Sequence, residues 1–156
     1  MIRSFAFFCF VVVLLIVTAC GSSDEKPAPA IIQTVFPDSL LAWNTNSDSM
    51  SMMRDHSIPD SVITIRRIIN GLNQSYPDVR VNFLKQTADT VFVEVPDATH
   101  LGEEMGDAGA SAWYADAVIN LTSVNGINFV SFKMDEHSHA GSTIIGRDTY
   151  KNWKRS

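Results

Sequence analysis

The residues best suited by type and spacing to chemistry are the two imidazoles and two carboxylates of Asp135-Glu136-His137-Ser138-His139. Histidine nitrogens and carboxylate oxygens are ligands of zinc, and an extended backbone would place His137 and His139 on one side. A closed metal site also needs fixed geometry and hydrogen-bond partners for its ligands. Because this stretch follows a predicted strand and adjoins Gly141 and Ser142, we prefer a solvated loop. We therefore predict no metal and no cofactor, and keep the two histidines as weak metal-ligand candidates.

A catalytic nucleophile is not indicated either. Ser142 follows Gly141, but the second glycine of a Gly-x-Ser-x-Gly elbow is missing. Glu103 and Glu104 are adjacent carboxylates, which do not face each other across a substrate. We predict a protein that is not an enzyme. An envelope metal-binding protein or hydrolase that uses Asp135–His139 is the alternative.

The first 20 residues predict where in the cell the protein is located. Arg3 precedes an apolar run over 5–17, and small residues then lead to Cys20, as in a secretory signal peptide. The sequence Val17-Thr18-Ala19-Cys20 resembles the bacterial lipobox, which implies that residues 1–19 are a signal peptide and that Cys20 is lipidated. The predicted location is the cell envelope, most consistent with the outer membrane of a Gram-negative bacterium, with Cys20 in the lipid bilayer.

Two other interpretations of this N-terminus stay open. The first is an uncleaved transmembrane anchor, although the apolar run is shorter than the roughly 20 residues that span a bilayer as a helix. The second is a soluble secreted product cut at another site. Residues 20–30 form the predicted lipidated cysteine and tether, because the stretch is small, polar and proline-containing.

The charge of the chain excludes one class of partner. It has 12 Lys and Arg against 17 Asp and Glu, a formal net charge of −5. Lys151, Lys154 and Arg155 are the basic cluster, and a solvated tail is its expected role. A mildly acidic chain lacks the basic surface that nucleic acid requires, so no nucleic-acid partner is predicted.

The elements that would position functional groups begin near residue 57. Ser57 or Asp60 can cap a helix around Pro59, and apolar residues then recur at helical spacing until Pro77. A second helix is predicted over 108–124, with a broad apolar stripe. The two apolar series are Val62, Ile65, Ile68, Ile69 and Leu72, and Ala110, Trp113, Tyr114, Ala117, Val118, Leu121 and Val124.

Three strands accompany these helices. Alternating residues over 79–83 and 91–95 predict an antiparallel hairpin, and 127–134 a third strand. The order helix-strand-strand-helix-strand predicts an α+β two-layer sandwich, with two helices on one face of a small, mainly antiparallel sheet. Residues 31–156 are expected to be one domain, in which 44–51 favour a loop and 135–156 a polar tail.

Several stretches within this pattern resemble the GerMN domain, a family named from spore-germination lipoproteins and also found in lipoproteins of Bacteroidota. The stretches are Leu101–Ala110, Ala115–Thr122 and Gly126–Val130, and the Met-Gly-x-x-Gly-Ala run is the most specific part. The best-matched core is 57–135. The resemblance implies a fold related to the ring-building motifs of secretion and sporulation complexes. It also implies assembly or envelope binding, and it brings no catalytic residues.

One face of the predicted sheet is a candidate interaction face. If Val79, Val81, Phe83, Val91, Val93 and Val95 face the helices, then Leu84, Phe92 and Phe129 lie on the opposite face. Such an apolar patch needs a cover. Either residues 31–43 fold over it, or an envelope protein partner or a second copy of the chain does. The sequence therefore predicts a membrane-anchored lipoprotein with a non-catalytic domain for protein or envelope-component binding and assembly.

Overall fold

The computed structural model describes residues 35–134 and 142–156. Cys20, the predicted signal and tether, and the Asp135–His139 segment lie outside the described residues, so the predictions made for them stay predictions. Within the two described ranges, no helix combines the length and apolar character needed to cross a membrane.

The described residues contain strands and helices in the predicted α+β order. The elements are β1 (Trp43–Asn46), β2 (Ser51–Arg54), α1 (Ile65–Ser75), β3 (Asn82–Thr87), β4 (Thr90–Val95), α2 (Gly106–Leu121), β5 (Phe129–Met134), β6 (Thr143–Gly146) and β7 (Lys154–Arg155). Short 3-10 turns cover 60–62 and 147–150, and a π-helical turn covers 100–104. The order α1-β3-β4-α2-β5 confirms the predicted sequence of elements.

A four-stranded sheet in the order β3-β4-β5-β6 forms one layer. β3 and β4 make the predicted antiparallel hairpin, β5 and β6 are also antiparallel, and β4 and β5 are parallel. A parallel pair needs a crossover connection, and α2 provides it. The helices and one sheet face share a single core, which confirms the α+β two-layer sandwich. The buried sheet residues include Val91, Val93, Val95, Val130, Phe132 and Met134.

Helix α1 begins later than its sequence predicts. Its N-cap is Thr64, whose side chain accepts a hydrogen bond from the Arg67 backbone N–H, so the expectation of a cap at Ser57 or Asp60 is wrong. Pro59 instead precedes the 3-10 turn over 60–62. The helix stops before Pro77, as predicted, since proline lacks the N–H that would continue the ladder.

Strand β3 has an irregular register near its start. The ladder between β3 and β4 shifts register between Phe83 and Lys85, which leaves Leu84 as the extra residue of a bulge. Phe83 pairs with the buried Val93 and so lies on the predicted inner face, although half of its side chain is exposed. Val79 and Val81 are buried as predicted, although both precede the strand.

A second sheet occupies sequence that predicts loop and tail. β1 and β2 form an antiparallel hairpin, so the expected loop over 44–51 is a strand at each end, and β7 pairs in parallel with β2. The described part of the expected polar tail, 142–156, contains β6, β7 and a buried Tyr150. Met52 is buried in the core, which explains why so polar a hairpin is stable here.

The described part of residues 31–43 packs on the helices. Leu40 and Ala42 belong to the core, and the Leu40 N–H donates to the Arg67 carbonyl of α1 at 3.1 Å. Because the helices cover the inner face of the sheet, residues 40–43 leave its opposite face uncovered. Of the two alternatives for covering Leu84, Phe92 and Phe129, a cover formed by this stretch is therefore not provided by its described residues.

Candidate functional site

Two surfaces of the described chain carry features that suit binding. The first is the outer face, defined here as the side of the β3–β6 sheet that points away from α1 and α2. Three large apolar side chains are exposed there: Leu84 at 45%, Phe129 at 43% and Ile144 at 64%. Ile144 was not predicted from the sequence, since its strand lies in the expected polar tail.

The register of the sheet gathers these side chains around Ser131. Phe92 pairs with Ser131 on one side and Ile144 pairs with it on the other, so the small serine lies between two apolar residues. Phe129 is two positions from Ser131 on the same strand and therefore on the same face. Residues on diagonal positions of one face are within reach of aromatic side chains. The result is a shallow apolar surface formed by Phe92, Phe129 and Ile144.

Polar groups border this surface. The Lys85 ammonium lies 4.8 Å from the centroid of the Phe92 ring, which leaves Phe92 only partly exposed. Lys133 and Glu94 form an ion pair at 2.7 Å across the parallel ladder. The outer face thus has an apolar centre with a polar border, an arrangement typical of protein-binding surfaces.

Phe129 is held in place by Gly146. A Cβ atom on Gly146 would lie 2.9 Å from Cε1 of the Phe129 ring, so the ring lies directly against the glycine backbone. Only a residue without a side chain permits this contact. The position of Phe129 on the outer face is therefore set by its neighbour on β6.

The second surface is a cleft where the small sheet meets the C-terminal end of α2. We name it the arginine cleft; its volume is about 790 Å³. Its walls come from β2 and the following loop, from the end of α2, and from the residues after β6 and in β7. The lining residues with ionisable side chains are Arg54, His56, Asp60, Arg147 and Arg155.

Trp43 lies close to two of these arginines. The guanidinium carbon of Arg147 lies 5.2 Å from the Trp43 ring centroid, and that of Arg54 lies 5.9 Å away. Cation–π attraction at such distances orients a guanidinium over an indole face. Trp43 itself is fixed by Asn120, so the helix α2 indirectly positions both arginines.

Arg54 has a structural role in the cleft, because its guanidinium binds other groups of the protein. Its Nη1 atom donates to the carbonyls of Ala42 and Asp55, and its Nη2 atom donates to the Ile58 carbonyl and to Asp60. The Asp60 carboxylate pairs with it at 2.8 Å. Arg54 therefore donates to the residue before β1 and to the loop after β2, and Asp60 compensates its charge.

Arg147 differs from Arg54 in its partners. Its Nη1 atom donates to the Ile119 carbonyl at 3.1 Å and to the Thr122 hydroxyl at 3.3 Å. Burial lowers the pKa of Arg147, and repulsion from Arg155 and Arg54 lowers it further. The last turn of α2 offsets part of this cost, because free carbonyls at a helix C-terminus favour a cation.

A third polar group lies between α2 and β1. The Asp116 carboxylate accepts hydrogen bonds from the hydroxyls of Thr45 and Tyr76. Burial raises the pKa of Asp116, although both hydroxyls oppose the rise. No cleft residue contacts this carboxyl group, so we interpret it as a structural link between layers.

The arginine cleft was missed by the sequence analysis. Arg54, Arg147 and Arg155 lie on three separate elements, so no local pattern in the sequence groups them. The composition gives no hint of a basic site either, because acidic residues outnumber basic ones. In the described ranges, no three His, Cys, Asp or Glu side chains are grouped to hold a metal ion. Comparisons with protein-family models, curated proteins and solved structures find no match to this chain.

Proposed function

We propose that this protein is a membrane-anchored lipoprotein whose α+β domain binds an envelope protein and has no catalytic activity. The observation that supports it is the outer face, where Phe129 and Ile144 are exposed side by side with the half-buried Phe92. Apolar side chains grouped in this way lower the free energy of a complex when a partner removes them from water.

The membrane part of the proposal rests on the lipobox-like sequence ending at Cys20. Lipidation there, on the outer membrane of a Gram-negative cell, would keep the domain near other envelope proteins. The resemblance to the GerMN domain agrees with an assembly role and stays a proposal. The α1-β3-β4-α2-β5 order of the described core supports the proposed likeness to the GerMN domain.

Crosslinking in native membranes tests the proposal. The full chain carrying Phe129→Asp or Ile144→Asp should lose its crosslinked partner, because a buried carboxylate without a counter-charge opposes complex formation. Ser111→Asp is the matched control, since Ser111 is exposed on α2 and away from the outer face. Ile144→Asp should change thermal unfolding little, because Ile144 is 64% exposed, whereas Phe129→Asp loses the contact with Gly146 and should lower the unfolding temperature modestly without unfolding the domain.

Two outcomes contradict the proposal. A partner that persists in both outer-face variants places the interaction elsewhere, and unfolding of both variants makes Phe129 and Ile144 structural. A crosslinked product that contains this chain alone would identify self-association in place of a different protein.

The metal-dependent alternative rests on Asp135–His139, which lies outside the described residues. Zinc titration of the full chain distinguishes it. A metal-induced rise in the unfolding temperature that disappears in the His137→Ala, His139→Ala double variant would favour that alternative. An unfolding temperature that zinc does not change would contradict the metal-dependent alternative.

A further inference from the structure

We propose that the arginine cleft binds the dianionic phosphate of a phosphate monoester. The arginine cleft and the outer face are separate surfaces, built from different residues.

Charge pairing in the cleft is incomplete. Asp60 neutralises Arg54 at 2.8 Å. Within 35–134 and 142–156, no carboxylate lies within 4.0 Å of a side-chain nitrogen of Arg147 or Arg155. Arg147 and Arg155 therefore line one cleft without an ion-pair partner among the described residues. A dianion matches that excess better than a carboxylate does.

Arg147 and Arg155 also have guanidinium N–H donors without a partner among the described residues. Arg147 uses its Nη1 atom on Ile119 and Thr122, while its Nε and Nη2 atoms have no partner among the described residues. Arg155 is exposed, and no described group accepts from its guanidinium. Guanidinium groups donate in a planar fork that fits the oxygens of phosphate. Arg147 and Arg155 are thus the phosphate-binding residues of the proposal.

The geometry of Arg147 is costly without a ligand. Its guanidinium lies 5.2 Å from the Trp43 ring centroid and donates to the end of α2, and burial there, followed by repulsion from Arg155 and Arg54, lowers its pKa. A bound anion would relieve this repulsion, so it would stabilise the folded chain by mass action.

The size and walls of the cleft favour an ester over the free ion. At about 790 Å³ the cleft is within the range of small-molecule sites and larger than one oxyanion needs. Trp43, Ile58 and Pro59 supply an apolar wall beside the charged one. The organic part of a monoester would lie against that wall while its phosphate meets the arginines.

Calorimetric titration of the full chain in uncharged detergent micelles tests the proposal. The probes are inorganic phosphate, glycerol 3-phosphate, and micelles that contain phosphatidic acid, with acetate as the anion control. At low salt, at least one monoester should bind saturably and more tightly than acetate. A response to glycerol 3-phosphate indicates a soluble ligand, and a response to phosphatidic acid alone indicates a lipid headgroup.

Variants assign the binding to the cleft. Arg155→Gln and Arg147→Gln should each weaken monoester affinity by about tenfold or more, since each removes charged hydrogen bonds to the phosphate. Arg80→Gln, an exposed arginine outside the cleft, should leave affinity unchanged. Arg155 is exposed, so its variant should fold even if Arg147→Gln loses stability through its contacts with Ile119 and Thr122.

Three results would overturn the proposal. The first is the absence of saturable heat with every monoester. The second is an equal loss, or no loss, of affinity across the Arg155, Arg147 and Arg80 variants. The third is acetate binding as tightly as the monoesters, which would mean that the cleft selects for charge without selecting phosphate.

Discussion

Asn120 holds both backbone polar groups of Trp43. Its Oδ1 atom accepts from the Trp43 N–H at 2.9 Å, and its Nδ2 atom donates to the Trp43 carbonyl at 3.0 Å. Asn120 is fully buried on α2, while Trp43 begins β1. One amide side chain therefore joins the small sheet to the helix layer and sets the indole against which Arg54 and Arg147 lie.

Replacing Asn120 should separate these layers. Asn120→Leu leaves the N–H and the carbonyl of Trp43 without their partner, and each unsatisfied group costs about 1–3 kcal/mol. We expect the free energy of unfolding to fall by about 2–4 kcal/mol, measured by urea denaturation. Asn152→Leu, at an exposed position, is the control and should change it little. Equal stability of the two variants would show that water replaces the Asn120 amide at Trp43.

Helix α1 depends on a close approach at Gly71. A Cβ atom there would lie 2.5 Å from the Leu40 carbonyl oxygen, which belongs to backbone and cannot swing away. Gly71→Ala gains about 1 kcal/mol of helix propensity, but the clash costs about 1–3 kcal/mol or more. We therefore expect a lower unfolding temperature, where propensity alone predicts a higher one.

Ser75→Ala is the matched control for Gly71→Ala. Ser75 is exposed on the same helix, so its replacement should change stability by a few tenths of a kcal/mol at most. If Gly71→Ala stabilises the protein as alanine does in an open helix, then Leu40 does not pack against α1 as the structure has it.

Hydrophobic periodicity predicts the central elements of this fold well. Val91, Val93 and Val95 alternate with polar or half-buried residues and are all fully buried. These strands have one face in the core, so burial imposes a period of two on their sequence. The same reason explains Phe129, which the alternation with Val130 correctly places on the outer face.

Elements held mainly by polar contacts could not be predicted in this way. β1 and β2 flank a turn rich in Asn, Ser and Asp, and they are anchored to α2 by Asn120 and by the contact of Thr45 with Asp116. Such long-range hydrogen bonds leave no periodic signal. The arginine cleft has the same origin, since Arg54 and Arg147 meet only after the small sheet docks beside α2.

Asp116 should make stability depend on pH. Its folded pKa is raised above the ordinary value of 3.8, so the folded state binds this proton more tightly than the unfolded state. The stabilising contribution is fully present below the unfolded pKa and is lost as pH rises through the folded pKa. Asp116→Asn removes the ionisable group, so the variant does not lose this stability as pH rises. The stability of the variant relative to the native chain should therefore increase as pH rises across that window.

Thermal unfolding between acidic and neutral pH measures this difference. Asp78→Asn is the control, because Asp78 is exposed and contacts neither Thr45 nor Tyr76. The comparison cancels the contributions of other carboxyl groups common to all chains. A constant difference between Asp116→Asn and the native chain at every pH would contradict a raised pKa, because it requires the same Asp116 pKa in the folded and unfolded states.

The proposed anchor predicts a covalent change at Cys20. Acyl chains bind a bilayer with about 0.8 kcal/mol per buried CH₂, and firm attachment needs more than one chain or signal. Mass spectrometry of the mature N-terminus should therefore find a multiply acylated Cys20. Cys20→Ala should leave the membrane fraction or keep its uncleaved signal, whereas Cys9→Ala, within the predicted signal, should remain membrane-bound. An unmodified N-terminus at another residue, in a protein released to the soluble fraction, would refute the anchor because no acyl chain would then hold the domain at the bilayer.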